Sequence, residues 1–127
     1  MSIFGIGTDI VNVNRIKNLL KNKKFIKRIF NEKEVSKCKK INNSMNCFAK
    51  RFAAKEAFSK ALGTGISNGI NFNEIVVLNK KSGKPYISII GQTKNTLKKK
   101  FKNKNSKISL SVSDEKKYAV AFVTISL

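Results

Sequence analysis

The feature that most constrains the fold of this chain is a helical pattern from Met45 to Leu62. Apolar side chains recur there at spacings of three and four residues and form one stripe: Met45, Phe48, Ala49, Phe52 and Ala53. This spacing predicts a long helix with one side against the core. The next position on the stripe is Glu56. Because burial of a lone charge is very costly, we expect this carboxylate to be paired, protonated or bound to a cation.

An acid at such a position is informative because acids are rare in this chain. It has seven acidic and 27 basic residues, no histidine and a formal net charge of +20. The lack of histidine excludes the usual catalytic triads and histidine-ligated zinc, which leaves carboxylate, lysine and hard-cation chemistry. The positive charge favours acidic partners such as nucleic acid, phosphorylated ligands or an acidic protein. Lysine supplies 24 of the basic residues and asparagine fills 15 positions, so a bias in coding composition explains much of this charge equally well.

Length and apolar content indicate one globular domain over residues 1–127. A chain of this size buries roughly two thirds of its unfolded surface in a single core. No apolar run reaches the roughly 20 residues of a membrane-spanning helix, and no secretory signal is recognisable, so we expect a cytoplasmic protein. Cys38 and Cys47 match neither zinc nor thioredoxin-type spacing. We expect both cysteines to be reduced and structural.

The remaining helical patterns place four more segments. Basic helical sequence follows Asn12 or Asn14 to about residue 29, with a break expected near Asn22. Asn31 and Glu34 have the spacing of a helix start, and a short helix is expected to continue to about residue 41. Ser44 is expected to cap the long helix and Gly63 to end it. A lysine-rich covering helix is expected at residues 92–102.

Strands are predicted at both ends of the chain and in its middle, which gives a mixed α and β fold. The predicted strands cover residues 3–11, 72–78, 85–90, 108–112 and 118–125. The last of them is apolar on both faces, so we place it at the centre of the sheet.

The first predicted strand puts Asp9 on the same face as two glycines. Phe4, Ile6 and Ile10 share one face, and Gly5, Gly7 and Asp9 share the other. Two glycines on one face leave room for another backbone or a ligand to approach closely. The alternative is that the glycines mark a bulge and that Asp9 caps the following helix.

Asp9 and Glu56 together suggest a site for a hard divalent cation. Mg²⁺ usually takes one or two protein carboxylates, while water and substrate phosphates supply its other oxygen ligands. Basic side chains and a glycine-containing turn lie next to Glu56 and suit a phosphorylated substrate: Lys55, Lys60, Gly63, Thr64 and Gly65. Taken alone, Glu56 also fits a buried ion pair with a lysine or arginine, and a glycine such as Gly63 is more often simply a helix end.

At these positions the sequence resembles the holo-acyl carrier protein synthases, the short, trimeric type of the 4'-phosphopantetheinyl transferase superfamily. The matching blocks are GIGTDIV at 5–11 with Arg15-Ile16, FAKRFAAKEA at 48–57, KALGTGI at 60–66, Gly83-Lys84-Pro85 and residues 111–123. Their order and spacing cover nearly the whole chain. The resemblance implies an α+β fold in which the long helix packs against an antiparallel sheet.

The resemblance also implies an activity. It is the transfer of 4'-phosphopantetheine from coenzyme A to a serine of apo-acyl carrier protein, with release of adenosine 3',5'-bisphosphate, in support of fatty acid biosynthesis. Asp9 and Glu56 match the family's magnesium ligands and catalytic residues, and either Glu56 or a metal-bound water takes the serine proton. Lys55, Lys60 and the turn of Gly63, Thr64 and Gly65 match the family's coenzyme A contacts.

Two kinds of protein contact follow from the same resemblance. Members of this type form homotrimers with active sites between subunits, and they dock an acidic carrier protein on the first helix. The expected docking residues are Arg15, Leu19, Lys21, Lys24, Phe25 and Arg28. The sequence departs from the family at Asp114, where many members carry histidine, so no histidine role is transferred to that position.

A nucleic-acid-binding module is the alternative from another class of protein. It would use the lysine-rich surface and would interleave basic residues with exposed aromatic side chains. Most of the phenylalanines here fit core stripes instead, and no RNA- or DNA-reading motif is recognisable. The sequence therefore favours the transferase.

Overall fold

Five helices and five strands make up the described part of the chain, which is residues 1–63 and 69–127 of a computed structural model. In chain order they are β1 (Ile3–Asn12), α1 (Val13–Leu19), α2 (Lys23–Ile29), α3 (Glu32–Lys39), α4 (Ser44–Leu62), a 3-10 turn (Phe72–Glu74), β2 (Ile75–Asn79), β3 (Pro85–Ile89), α5 (Gly91–Lys100), β4 (Lys107–Asp114) and β5 (Tyr118–Ser126). The predicted α+β class is confirmed.

The strands form two antiparallel sheets. The larger has the order β1-β5-β4, and the smaller is the hairpin of β2 and β3. The expectation that the last strand is central is confirmed, because β5 pairs with a strand on each side. The second predicted strand was expected to begin at residue 72, but Phe72 to Glu74 form a 3-10 turn and β2 begins only at Ile75.

Helix α4 lies directly on the larger sheet because two glycines of β1 remove the side chains between them. A Cβ atom on Gly7 would lie 1.8 Å from the carbonyl oxygen of Ala57, and one on Gly5 would lie 1.9 Å from that of Ala61. The predicted close approach of another backbone is therefore confirmed. The register of β1 on β5 shifts between Ile3 and Gly5, so a local irregularity accompanies this contact.

Asparagine side chains begin the three short helices. Asn12 caps α1, which rules out the alternative cap at Asp9, and Asn22 caps α2 at the expected break. Asn31 and Glu34 form the predicted capping box of α3. The expected cap at Ser44 is wrong: Asn43 precedes α4, and Ser44 is already its first helical residue. Gly63 ends α4 in the left-handed conformation, with φ of 80°.

The two cysteines form a disulfide, so the expectation that they are reduced is wrong. Cys38 lies near the end of α3 and Cys47 in the first part of α4, with Cα atoms 5.4 Å apart. The reason is the short connection after Lys39, which turns α4 back along α3 and brings the two residues together. Spacing alone did not predict this contact because it depends on how the two helices pack.

The lysine-rich helix α5 covers the outside of the molecule, as expected. Its buried residues are Thr93 and Leu97. Its first turn is held by Glu74, whose carboxylate accepts hydrogen bonds from the backbone nitrogens of Gln92 and Thr93, each at 3.0 Å. In residues 1–63 and 69–127, no helix combines the length and the apolar character that crossing a bilayer requires.

Replacing Gly7 with alanine tests the contact between α4 and β1. The added methyl group would meet backbone atoms, which cannot move aside as a flexible side chain can. We expect Gly7→Ala to lower the free energy of unfolding by about 1–3 kcal/mol or more, in the range of an overpacked core. Urea unfolding measures this change. Ser109→Ala on an exposed position of β4 is the control, and an equal effect of the two substitutions would contradict the contact.

Candidate active site

The close contact of α4 with β1 brings the two candidate carboxylates to one place. Asp9 lies two residues beyond Gly7, on the same face of β1, and Glu56 immediately precedes Ala57, whose carbonyl oxygen lies over Gly7. Both acids are partly buried, and the Asp9 side chain is 16% exposed. The structure therefore unites the two residues that the sequence paired.

The electrostatics of Glu56 reflect this arrangement. Burial raises the pKa of its carboxyl group above the ordinary value, and repulsion from Asp9 raises it further. The positive charges of Lys60 and Arg15 partly offset the rise in pKa. Glu56 is thus a carboxylate whose ionised form is poorly compensated by the protein, which favours binding of a cation.

Lys60 lies at the carboxylate pair, as the sequence predicted. Its ammonium nitrogen is 3.1 Å from Oδ1 of Asp9 and donates to the backbone oxygen of Thr8 at 3.0 Å. The side chain is 56% exposed, so it is accessible to a ligand. An anionic group bound beside Asp9 would therefore meet a positive charge here.

Lys55 does not lie at the site, and the prediction that it contacts phosphate is wrong. Its ammonium group is fully buried on the other side of α4, where it forms an ion pair with Oε1 of Glu34 at 2.7 Å and donates to the backbone oxygen of Phe72 at 2.8 Å. Burial lowers the pKa of Lys55 to about 8, although Glu34 acts in the opposite direction. The buried ion pair considered for Glu56 thus exists one residue earlier.

The turn after α4 is described only at its start. The backbone N–H of Gly63 donates to the carbonyl oxygens of Ser59 at 3.2 Å and Lys60 at 3.1 Å. It therefore closes the helix, which is the simpler of the two roles considered for Gly63, and it is not free for a phosphate. Thr64 and Gly65 lie outside the described residues.

The predicted docking residues fall into two groups. The first group is accessible to a partner and lies on α1, α2 and the turn between them. Its charged members are exposed, and they are Arg15, Lys21, Lys24 and Arg28. Its apolar member, Leu19, is half-buried. Phe25 is 9% exposed, and its ring packs 6.1 Å from that of Phe52 and 6.3 Å from that of Phe30. The prediction that Phe25 anchors a partner is therefore wrong, because it belongs to the core.

Asp114 ends β4 and stabilises the local structure. Its Oδ2 atom accepts a hydrogen bond from Nδ2 of Asn46 at 2.8 Å, and Lys50 lies 3.6 Å from its Oδ1 atom. The same Asn46 nitrogen donates to the backbone oxygen of Glu115 at 2.7 Å. These contacts join the start of α4 to the turn between β4 and β5.

The residues present fit a magnesium ion. Asp9 and Glu56 supply the one or two carboxylates that Mg²⁺ usually takes from a protein, and both are hard oxygen donors. Among the described residues there is no group of three or more acidic, histidine or cysteine ligands. A site of this kind needs further oxygens from a phosphorylated ligand and from water.

Sequence reasoning missed the buried partner of Lys55. Glu34 was recognised as part of a capping box, and that role is confirmed, but its side chain also reaches α4 and β2. Composition alone does not show which of the seven acids pairs with Lys55. Only the packing of α3 on α4 selects Glu34.

Comparisons with known proteins give one consistent result. The family model of the 4'-phosphopantetheinyl transferase superfamily matches residues 5–123. A holo-[acyl-carrier-protein] synthase from Pelagibacter ubique is 50% identical over 125 residues, which cover 98% of each chain. The crystal structure of such a synthase from Neisseria meningitidis has a TM-score of 0.88 at 38% identity and covers 98% of this chain and 99% of that chain. The Helicobacter pylori enzyme in complex with coenzyme A has a TM-score of 0.79 at 31% identity, with coverages of 95% and 99%.

The raised pKa of Glu56 gives a prediction for the metal-free protein. Because the folded pKa exceeds the unfolded one, the stability from this group is present at low pH and is lost as the pH rises through the folded pKa. We expect Glu56→Gln to melt at a higher temperature than wild type at pH 7. The difference in melting temperature should shrink when the pH is below the usual pKa range of glutamate. Thermal melts in a chelator measure this, with exposed Glu32→Gln as the control. A lower melting temperature for Glu56→Gln at pH 7 would contradict the assignment.

Proposed function

Because the chain belongs to the 4'-phosphopantetheinyl transferase superfamily and is a phosphopantetheinyl transferase of the holo-[acyl-carrier-protein] synthase type, we propose that it uses Mg²⁺ to transfer 4'-phosphopantetheine from coenzyme A to a serine of apo-acyl carrier protein. Adenosine 3',5'-bisphosphate is the other product. Under this proposal, residues 1–127 act as a single domain. The enzyme works in the cytoplasm and supports fatty acid biosynthesis.

One observation carries this proposal: two partly buried carboxylates, Asp9 and Glu56, lie together beside the accessible ammonium group of Lys60. The carboxylates suit a divalent cation, and the ammonium suits a phosphate. The coenzyme A complex of the Helicobacter pylori relative supports the choice of phosphorylated substrate.

Each of these residues has a distinct part in the proposed reaction. Asp9 and Glu56 would hold the Mg²⁺ ion, which when bound neutralises negative charge on the coenzyme A pyrophosphate. Lys60 would bind a phosphate oxygen, for which it is already held in place by Asp9 and Thr8. Glu56 is also the candidate base for the serine proton, directly or through a water, and its raised pKa suits that role.

The transfer can be followed by the mass of the carrier protein. Wild-type chain incubated with coenzyme A, Mg²⁺ and apo-acyl carrier protein should add one phosphopantetheine group to the carrier. Asp9→Asn and Glu56→Gln should each lower the rate by about a hundredfold or more, since each removes charge stabilisation at the reacting phosphate. Glu32→Gln, an exposed acid on α3, should keep full activity. No mass gain with wild type, or full activity of both site variants, would refute the proposal.

We further propose that the carrier protein docks on the exposed basic residues of α1 and α2. Arg15, Lys21, Lys24 and Arg28 present positive charge to solvent, and half-buried Leu19 lies among them. Acidic carrier protein is complementary to this surface. Arg15 has a second contact, because its guanidinium lies 6.0 Å from the ring centre of Phe52 on α4. The docking surface is thus continuous with the helix that carries Glu56.

Charge reversal at Arg28 tests the docking surface without touching the carboxylates. Arg28→Glu should raise the KM for apo-acyl carrier protein by roughly tenfold, equivalent to about 1.4 kcal/mol, and should leave the KM for coenzyme A nearly unchanged. Steady-state kinetics with each substrate varied in turn measure both constants. Lys81→Glu in the exposed turn between β2 and β3 is the matched control. Equal KM values for the two variants would count against docking on α2.

We also propose that the chain forms a homotrimer through the outer face of the larger sheet. Large apolar side chains are exposed on adjacent strands there: Ile6, Ile10, Tyr118, Val120 and Phe122. Ile10 pairs with Val120 across β1 and β5, so the exposed side chains form one surface. A contiguous apolar surface of this kind is typical of an interface.

Light scattering after size exclusion tests the assembly. The wild-type protein should have three times the chain mass of 14.2 kDa. Ile10→Lys should dissociate it, because a charge would be buried without a partner, and should lower activity if the sites lie between subunits. Asn95→Lys on the exposed side of α5 should remain trimeric. A monomeric wild-type protein with full activity would refute this part of the proposal.

A further inference from the structure

The ammonium of Lys55 is a buried charge whose hydrogen bonds all have partners. It pairs with Oε1 of Glu34 at 2.7 Å and donates to the backbone oxygens of Phe72 and Ile75. Lys55 and Glu34 are both fully buried. All three N–H bonds of the ammonium therefore have acceptors on three different segments of the chain.

Glu34 extends the same network. Its Oε1 atom accepts the backbone N–H of Asn31 at 2.9 Å, and its Oε2 atom accepts that of Val77 at 3.0 Å. The ion pair thus joins the start of α3, the middle of α4, the 3-10 turn and β2. Each of these bonds is directional, so together they restrict both the rotation of α4 about its axis and its position along that axis.

Stability alone does not account for such a pair. Burying two charges removes them from water, and well-packed apolar residues of similar volume are often as stable or more so. What a bonded pair adds over apolar packing is a defined geometry. The position of the pair within α4 indicates what that geometry serves.

Lys55 immediately precedes Glu56, and α4 is held on two sides at this level. On one side the backbone at Ala57 lies against Gly7 of β1, and on the other side Lys55 reaches Glu34. Successive residues differ by about 100° around a helix, so fixing the direction of Lys55 fixes that of Glu56. Rotation of α4 would move Glu56 away from Asp9, which is held separately on β1.

We propose that Lys55 and Glu34 are positioning residues for Glu56, which set the cation affinity of the carboxylate pair. This inference rests on the proposed function, because it concerns the same cation site. Residues that orient metal ligands typically change metal affinity by about 10- to 100-fold when they are replaced. Lys55 and Glu34 are fully buried and do not reach the cation site. A change of that size in cation affinity when one of them is replaced would therefore indicate positioning and not direct contact.

The test uses Mn²⁺ as the probe in the presence of saturating coenzyme A, which supplies the phosphate oxygens that the site needs, and measures the dissociation constant of Mn²⁺ from the EPR signal of the free ion. Lys55→Met should weaken Mn²⁺ binding at least about tenfold and should also lower the melting temperature, because Glu34 is left buried without a partner. The double variant Glu34→Gln/Lys55→Met removes both charges. It should recover part of the melting temperature but none of the Mn²⁺ affinity.

A second tie between the same two helices provides the control. Cys38→Ala/Cys47→Ala removes the disulfide between α3 and α4 but leaves Lys55 in place. It should lower the melting temperature and keep the Mn²⁺ affinity within about twofold of wild type. Mn²⁺ affinity that follows the melting temperature across all three variants would overturn the positioning role. Absence of Mn²⁺ binding in wild type would overturn the proposed cation site as well, whereas wild-type affinity in the double variant would overturn the positioning role alone.

Discussion

The structure depends on one contact, in which the backbone of α4 lies against Gly5 and Gly7 of β1. Any larger side chain at either glycine would meet the carbonyl oxygen of Ala61 or Ala57. This contact has a chemical consequence as well as a structural one. Because Asp9 follows Gly7 on the same face of the strand and Glu56 precedes Ala57 on the helix, close packing of the two backbones also brings two carboxylates together.

Two neighbouring residues of α4 then have opposite electrostatic situations. Lys55 is buried, but its charge is compensated by Glu34 and by two backbone oxygens. Glu56 is only partly buried, yet its ionised form is disfavoured by burial and by Asp9. The first arrangement stabilises the position of the helix, and the second leaves a carboxylate ready for a cation. This contrast supports a positioning role for Lys55 and a cation-binding role for Glu56.

Much of the fold and the centre of the site could be predicted from the sequence, because they depend on local periodicity and on motifs. The long helix, the central β5 and the pairing of Asp9 with Glu56 belong to this group. The errors concern contacts that depend on how separate helices and strands pack against one another. The sequence predicts a phosphate contact for Lys55 and a partner contact for Phe25, whereas both side chains are buried. The disulfide of Cys38 with Cys47 depends on the packing of α3 beside α4, where the two Cα atoms lie 5.4 Å apart. Spacing shows which residues share a face of an element, but not which neighbour covers that face.

The central claim is that Asp9 and Glu56 form one site. NMR titration of the Glu56 carboxyl carbon, in wild type and in Asp9→Asn without metal, tests it most directly. The account predicts a Glu56 pKa above the ordinary glutamate value in wild type, because of burial and the charge of Asp9, and a lower value in Asp9→Asn. Mg²⁺ with coenzyme A should also lower the pKa in wild type. A Glu56 pKa that is the same in both proteins would contradict the account.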